Sequence, residues 1–317
     1  MKSGQISISG SKIFYIIYLM AEFYKRNTLI RTICFMAFFV AINVICSFLT
    51  NTLPLVSIIL IIFLPLTSAV VEVNCKDRWF PIYAFATIGL SIVVTLSSID
   101  FTLFYVVPSI FTGYIFGLFA KKHLPSMYAI FFASIIQTIL SFAFIPVIQL
   151  ITEKNLIDVF VEIFRISDVF WFKTLLLFIF FAVSLIQTIL SYIVVENELK
   201  KFTHESTWKI YQDNVACFSS LGATILSIIF GFFYMPVALL MVAISIYFAI
   251  FVVIAEVYAK NKLALIVDGV SLFLSLLLYA LLNRFFSGGS EFILLVIAPT
   301  LISLFSISYS FLKKHKQ

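Results

Sequence analysis

Leu29–Val73 reads LIRTICFMAFFVAINVICSFLTNTLPLVSIILIIFLPLTSAVVEV, and this stretch decides the fold. It contains two apolar runs, Leu29–Thr50 and Pro54–Val73, each close to the ~20 residues that an α-helix needs to cross a bilayer. Only Asn51–Leu53 separates the two runs. Because lipid tolerates no unpaired backbone, so short a turn predicts an antiparallel hairpin of two membrane helices.

The first of these helices has two different faces, because side chains on a helix advance by about 100° per residue. The small-residue face consists of Ala37, Ala41, Val44 and Phe48. The polar face, roughly opposite, consists of Thr32, Asn43, Cys46 and Thr50. Such a helix is expected to contact two different environments.

The composition identifies the class of protein. The chain has 317 residues, of which 62% are hydrophobic and 11% charged. A soluble domain needs a charged surface, so this composition excludes one and indicates an integral membrane protein. The net charge of +6 predicts no nucleic-acid partner, since the basic residues lie in short loops and at span ends.

The hydropathy pattern predicts an all-α, polytopic bundle of about ten transmembrane helices in the cell membrane. With the N- and C-termini cytoplasmic, only Lys154, Arg165, Lys173 and Arg284 of the 21 lysines and arginines fall outside. The positive-inside rule therefore supports this orientation. The predicted spans are 29–50, 54–73, 79–98, 101–120, 125–152, 170–195, 216–234, 236–258, 262–283 and 292–312.

Three segments follow from this pattern. Residues 1–28 form a cytoplasmic or interfacial segment, because the apolar run Ile13–Tyr24 is too short to cross. Residues 29–202 form a six-helix membrane bundle, and residues 203–317 form an additional unit of four helices.

The chain contains one internal sequence repeat, in which Ser134–Phe142 reads SIIQTILSF and Ser184–Tyr192 reads SLIQTILSY. The two helices run in opposite directions, which brings Gln137 and Gln187 to a similar depth in the bilayer. These amides either hydrogen-bond between helices or line a cavity that holds a polar ligand.

Further polar residues fall in the outer half of the predicted bundle and are candidates for the mouth of a binding site. A carboxylate and amides there offer hydrogen bonds, and aromatic rings offer stacking on a flat molecule. The set is Asn43, Asn51, Asp100, Tyr105, Ser109, Gln149 and Trp171.

Ionisable residues inside the spans are few, and each is a functional candidate because its burial is unfavourable. Asp268 is the deepest, and it either pairs with Lys262 or forms a proton or cation site. Glu72 is close in sequence to Lys76 and is expected to reach the cytoplasmic interface. No catalytic or metal-binding motif occurs in the sequence, so neither an enzyme nor a bound metal or cofactor is expected.

The first half of the chain resembles the substrate-binding S component of energy-coupling-factor vitamin importers. The resemblance rests on AFFVA at 37–41 followed by Asn43, on the short turn before PLVSIILIIFLPL, on Asn74–Arg78, and on VVPSIFTGYIFGLFAKK. It implies that Ala37 and Ala41 dock on a transmembrane coupling subunit while the outer half binds a vitamin. The overall pattern, in which about four further spans follow such a front half, is also similar to that of the YybS-like membrane proteins.

The resulting hypothesis is a non-enzymatic membrane subunit that binds a small nutrient for an ATP-driven importer. Its partners would be the small-molecule ligand, membrane lipid and a coupling subunit with its ATPases, because the chain has no nucleotide-binding motif of its own. The expected ligand-binding residues are Asn43, Asn51, Asp100, Tyr105, Gln137, Gln149 and Gln187. The alternatives are a scaffold or regulator without transport, and a secondary carrier that uses Asp268.

Overall fold

A computed structural model describes residues 29–153, 161–162, 169–203, 214–258, 266–275, 277 and 290–314. The described residues form helices and no strands, as the sequence predicts. The expected interfacial segment at residues 1–28 lies outside this range, as does Lys262.

Ten helices are described. They are α1 (Leu29–Thr52), α2 (Pro54–Asn74), α3 (Phe80–Val94), α4 (Ile99–Lys121), α5 (Ser126–Thr152), α6 (Val169–Thr203), α7 (Asn214–Phe233), α8 (Met235–Tyr258), α9 (Ile266–Ser275) and α10 (Ser290–Lys314).

Six helical segments in the described part of the chain are long and apolar enough to cross a membrane, and they make this a membrane protein. These segments lie in α1, α4, α5, α6, α7 and α8. In contrast, α3 has only 15 residues, which at about 1.5 Å per residue is shorter than the ~30 Å hydrocarbon core. The count of ten spans and the orientation of the termini stay predictions.

The predicted hairpin of α1 and α2 is confirmed. Only Leu53 lies between the two helices, and its N–H donates to Leu49 O at 2.9 Å, which continues the α1 hydrogen-bond pattern. Pro54 then begins α2 in the first turn, where its missing N–H removes no helical hydrogen bond.

The chain divides into two compact units. The first is built from Met1–Lys154 and Ser184–Lys209, and the second from Asn155–Val183 and Ile210–Gln317. The division at residue 203 that the sequence suggests stays a prediction.

In the first unit, α2 packs against both α1 and α4, while α3 packs against α1 and α5 against α4. Helix α4 contains a π-helical turn at Thr102–Val106, immediately before Pro108. Such a turn is a common way for a membrane helix to accommodate the backbone disruption caused by proline.

In the second unit, α7 and α8 form another hairpin, and α10 packs against both. Small hydroxyl side chains hold this hairpin together. Ser220 Oγ donates to Ser245 O and Ser245 Oγ donates to Ser220 O, each at 3.0 Å, and Thr224 Oγ1 lies 2.6 Å from Ser245 Oγ. These hydroxyls allow close helix contact without leaving a polar group exposed to lipid.

Candidate functional site

The side chain of Asn43 lies at the centre of a buried hydrogen-bond network between α1, α2 and α3. Its Nδ2 donates to Tyr83 Oη at 2.7 Å, and its Oδ1 accepts from Thr67 Oγ1 at 2.7 Å. Ser68 Oγ lies 3.3 Å from the same Tyr83 hydroxyl. Asn43 is only 1% exposed. Because both ends of the amide have protein partners, Asn43 fixes three helices to one another.

The polar contacts continue towards the end of the first unit that the sequence predicts to be outer. Ser47, one turn after Asn43, lies 3.3 Å from Ser91 Oγ on α3. Thr95, one turn after Ser91, is hydrogen-bonded to Thr102 on α4. Hydroxyl groups therefore join α1, α3 and α4 in succession, and all four of these residues are buried.

The other side of α1 lines an apolar groove that it forms with α3. The groove has a volume of about 530 Å³, and its side chains are apolar except for Tyr83. Ala37 and Ala41 lie on the α1 side and Ala86 on the α3 side. Because the alanine side chains in the groove are short, an apolar helix placed in it can approach the backbones of both α1 and α3.

The two faces expected for α1 are thus separated in the structure. Ala37, Ala41 and Phe48 are exposed, whereas Thr32, Asn43 and Thr50 are buried. Val44 and Cys46 are both half-buried, so the face pattern is confirmed for the other six residues. The docking role of Ala37 and Ala41 and the ligand-binding role of Asn43 stay predictions.

The two glutamines of the internal sequence repeat are in direct contact. Gln137 Nε2 on α5 donates to Gln187 Oε1 on α6 at 2.6 Å. One turn away, Ser134 Oγ lies 2.6 Å from Thr188 Oγ1. Both predicted binding residues therefore take part in interhelical hydrogen bonds in this structure, which is the first of the two roles considered for them.

The remaining members of the expected ligand-binding set are not gathered around one described cavity. Asp100 and Gln149 are exposed, and Tyr105 is 39% exposed with its ring 5.1 Å from that of Phe101. Asp100 is close enough to Tyr105 to interact with it electrostatically. The side chain of Asn51 lies outside the described ones, as does that of Trp171.

The end of the first unit that the sequence predicts to be cytoplasmic carries a charged cluster of Glu72, Asp77 and Lys121, called the inner triad. Lys121 Nζ lies 2.5 Å from Asp77 Oδ1 and 3.7 Å from Glu72 Oε1. Glu72 is 1% exposed, so the expectation that it reaches the interface beside Lys76 is wrong. The reason is tertiary: α4 packs along α2 and covers Glu72 with its own last turn.

The charge of Lys121 also affects its exposed partner in the inner turn. The hydrogen bond from Lys121, together with its positive charge, holds the pKa of the Asp77 carboxyl below its usual value. Asp77 is therefore ionised throughout the neutral range, and it is the closer of the two carboxyl partners of Lys121 in this structure.

The close packing of α4 on α2 depends on two glycines that the sequence analysis did not single out. A Cβ on Gly113 would lie 2.2 Å from Pro65 O, and one on Gly117 would lie 2.6 Å from Glu72 Cβ. The two glycines are four residues apart, in the GxxxG spacing that marks close helix contacts in membranes. That spacing is the sequence signal that could have identified this interface.

In the second unit, Asp268 on α9 is 3% exposed. Ser271 and Ser275, one and two turns later on the same helix, are also buried. The expected pairing of Asp268 with Lys262 concerns a residue outside the described ones and stays a prediction.

No group of three His, Cys, Asp or Glu side chains suited to a metal ion occurs within the described residues. Comparisons of the chain with protein-family models, with curated proteins and with solved structures find no match. Functional inference therefore depends on the geometry of the chain itself.

Proposed function

We propose that this protein is the membrane-embedded, substrate-binding subunit of an ATP-driven importer, of the type that the S-component resemblance implies. The observation that supports the proposal most directly is the apolar groove between α1 and α3, with Ala37 and Ala41 on its floor. In that family, the corresponding small residues dock on a transmembrane coupling subunit.

The proposed occupant of the groove is a transmembrane helix of that coupling subunit. On α1, the groove extends from Ile33 to Ile45, which at 1.5 Å per residue is about 18 Å, more than half of the hydrocarbon core. Small residues allow two helix backbones to approach closely, and the resulting dispersion contacts replace the hydrophobic effect that lipid does not supply. A lipid acyl chain would fill the groove without needing its floor to be small.

The Asn43 network supports this proposal from the other side of α1. It ties α1 to Thr67 on α2 and to Tyr83 on α3, and Tyr83 also lines the groove. The groove walls are therefore held at a fixed separation before a partner arrives, which lowers the conformational cost of association. A ligand that shifts α1 relative to α3 would change the groove directly.

Ligand capture is proposed for the outer half of the first unit. Asp100 and Gln149 are exposed there and Tyr105 is partly exposed, so polar and aromatic groups are available to a molecule outside. The buried hydroxyls of Thr95 and Thr102 provide a path of polar contacts from that end towards Asn43. The proposed cargo is a small organic nutrient carrying a flat ring.

The docking proposal is tested by recovering the tagged protein from detergent-solubilised membranes and identifying the proteins that accompany it. We expect a membrane coupling subunit with an ATPase pair, and we expect Ala37→Trp or Ala41→Trp to abolish their recovery while the protein remains inserted. Ala143→Trp is the matched control, because Ala143 is exposed on α5 and does not line the groove. Unchanged recovery with the groove variants would reject the docking role.

The ligand proposal is tested by mass spectrometry of the small molecule that co-purifies with the protein. Asn43→Leu and Asp100→Ala are each expected to weaken its binding, and equal affinity in both variants would remove these residues from the site. Because Asn43 holds three helices, the thermal unfolding of each variant is measured in parallel.

The scaffold alternative predicts stable partners without any co-purified nutrient or uptake. The secondary-carrier alternative is favoured by one observation, the burial of Asp268 beside Ser271 and Ser275 on α9. A carrier of that kind would show substrate uptake into proteoliposomes with a proton gradient alone, and Asp268→Asn would abolish it. The main proposal also places the protein in the cell membrane, with about ten spans and with both termini in the cytoplasm.

A further inference from the structure

The carboxyl group of Glu72 is buried at the inner end of α2 without a hydrogen bond. Both of its oxygens are fully covered, and neither has a hydrogen-bond partner in the structure. An ionised carboxylate has about four acceptor positions and is very unfavourable in a dry site when none of them is used. The protonated form carries no net charge and needs far less compensation.

The ammonium group of Lys121, which neighbours Glu72, is already committed to other acceptors. Lys121 Nζ donates to Asp77 Oδ1 at 2.5 Å, to Cys75 O at 3.0 Å and to the backbone carbonyl of Glu72 at 3.3 Å. An ammonium has three protons, so these three contacts use all of them. The remaining approach, 3.7 Å to Glu72 Oε1, is too long for a hydrogen bond.

Packing closes the site to water. Gly117 lies directly against Glu72, since a Cβ added to the glycine would be 2.6 Å from Glu72 Cβ and 3.0 Å from its Cγ. A larger residue at this position would hold α4 away from α2 and open a path to the inner aqueous side. The glycine therefore keeps the carboxyl group in a low-dielectric environment, where an uncompensated charge is most unfavourable.

The nearest charges act on Glu72 in opposite directions, and the ammonium group of Lys121 favours its ionised form. Asp77 interacts electrostatically with Glu72 and, being ionised, disfavours its deprotonation. Tyr114 on α4 is also close enough to interact with Glu72 and is uncharged at neutral pH. Arg31 is the ionisable residue at the same end of α1. The inner triad thus contains two carboxyl groups and a single ammonium.

We infer that Glu72 is a proton-binding site that holds its proton while α2 and α4 are packed together, and that Lys121 controls its release. When α4 moves away from α2 and admits water, the O–H bond of the Glu72 carboxyl breaks and the proton passes to that water. The carboxylate that remains requires Lys121 to move from Asp77 to Glu72. Proton release is thereby linked to a rearrangement of the inner turn that carries Asp77.

The first experiment is infrared spectroscopy of the purified full-length protein in detergent at neutral pH. We expect the wild-type spectrum to contain a protonated-carboxyl band that Glu72→Gln lacks. The matched control is Glu196→Gln, because Glu196 is also buried but forms an ion pair with Lys200, whose Nζ lies 2.9 Å from Glu196 Oε1. A wild-type spectrum that loses no such band on Glu72→Gln would overturn the inference.

The second variant is Asp77→Asn, a change at an exposed position that does not threaten folding. It releases Lys121, which can then donate to Glu72 and favour its ionised form. We expect this variant to lose the same band at neutral pH although Glu72 is intact. Persistence of the band in Asp77→Asn would show that Lys121 does not control the proton.

A third measurement follows the unfolding equilibrium as a function of pH. An unfolded, hydrated Glu72 has lost its proton at neutral pH, so the folded state that retains it is favoured as pH falls. From the pKa of an unfolded glutamate, about 4.3, up to the pH at which the folded site loses its proton, the unfolding constant of the wild type should rise by up to tenfold per pH unit. Glu72→Gln should lack this component, and identical slopes would contradict the proposed proton binding.

Discussion

The substitution Gly113→Ala tests the closest contact in the first unit, where α4 crosses α2. The added Cβ would lie 2.2 Å from Pro65 O and 2.6 Å from Ser68 Cβ. Ordinary contact begins at 3.4 Å, so the two helices must separate by about 1.2 Å at this point. The nearest obstructing atom is a backbone carbonyl, which cannot rotate away as a flexible side chain would.

Two effects of opposite sign determine the expected change in stability. Overpacking a well-packed contact costs about 1–3 kcal/mol of unfolding free energy. Replacing glycine by alanine in a helix favours the folded state by about 0.4–1 kcal/mol, because the unfolded chain loses freedom. We therefore expect Gly113→Ala to lower the free energy of unfolding by about 1–2 kcal/mol.

The assay is unfolding of the purified protein in mixed micelles by increasing SDS, followed by tryptophan fluorescence and circular dichroism. Gly89→Ala and Gly222→Ala are matched controls, because a Cβ at either position meets nothing within 4 Å. These controls should be neutral or slightly stabilising. If Gly113→Ala were as stable as the controls, the close approach of α4 to α2 would be refuted.

Three further predictions use the same assay. Tyr83→Phe removes the hydroxyl that accepts from the buried amide on α1, and it should lower stability by about 0.6–1.7 kcal/mol; an unchanged midpoint would show that the network contributes nothing. Gln137→Leu and Gln187→Leu should each lower the free energy of unfolding, because each leaves the partner amide unpaired inside the bundle. The double variant should recover about 0.6–1.7 kcal/mol of the summed loss. Strict additivity of the two losses would exclude a direct interaction. The hydrogen bond from Lys121 lowers the pKa of Asp77 in the folded state. The stability that this pair contributes is therefore present above the unfolded pKa of about 3.9, and it is lost as pH falls through the folded pKa. Asp77→Asn should lack this loss of stability at acidic pH, which is only about 0.2–1 kcal/mol because the ion pair is screened by solvent. If the stability of both proteins fell identically at acidic pH, the pairing would be contradicted.

The sequence predicted the class of the fold because membrane helices depend on local properties. A run of about 20 apolar residues is sufficient to indicate a span, and a three-residue break between two such runs is sufficient to indicate a hairpin. The faces of α1 also followed from helical periodicity alone, and the structure separates Ala37 and Ala41 from Asn43 as that periodicity requires. The repeated motif placed Gln137 and Gln187 at one depth, where they form a hydrogen bond.

The candidate site was predictable only in part, because periodicity shows which residues share a face but not which helix that face contacts. Asn43 was expected at a binding site, yet the structure turns its amide to Thr67 and Tyr83. Asp100 and Gln149 were grouped with it by depth alone, and the described cavity between α1 and α3 includes neither.

The inner triad shows most clearly what tertiary structure decides. From the sequence, the nearest cation to Glu72 is Lys76, only one turn away, and such a pair would reach the interface. In the fold, the glycines of α4 allow that helix to approach α2 so closely that Lys121, 49 residues further along the chain, becomes the neighbour. The sequence by itself determined an all-helical membrane protein and the two-sided first helix, since both depend on local hydrophobicity and helical period. Only the packing of α4 on α2 decided that Glu72 is buried, because its burial depends on contacts between distant segments.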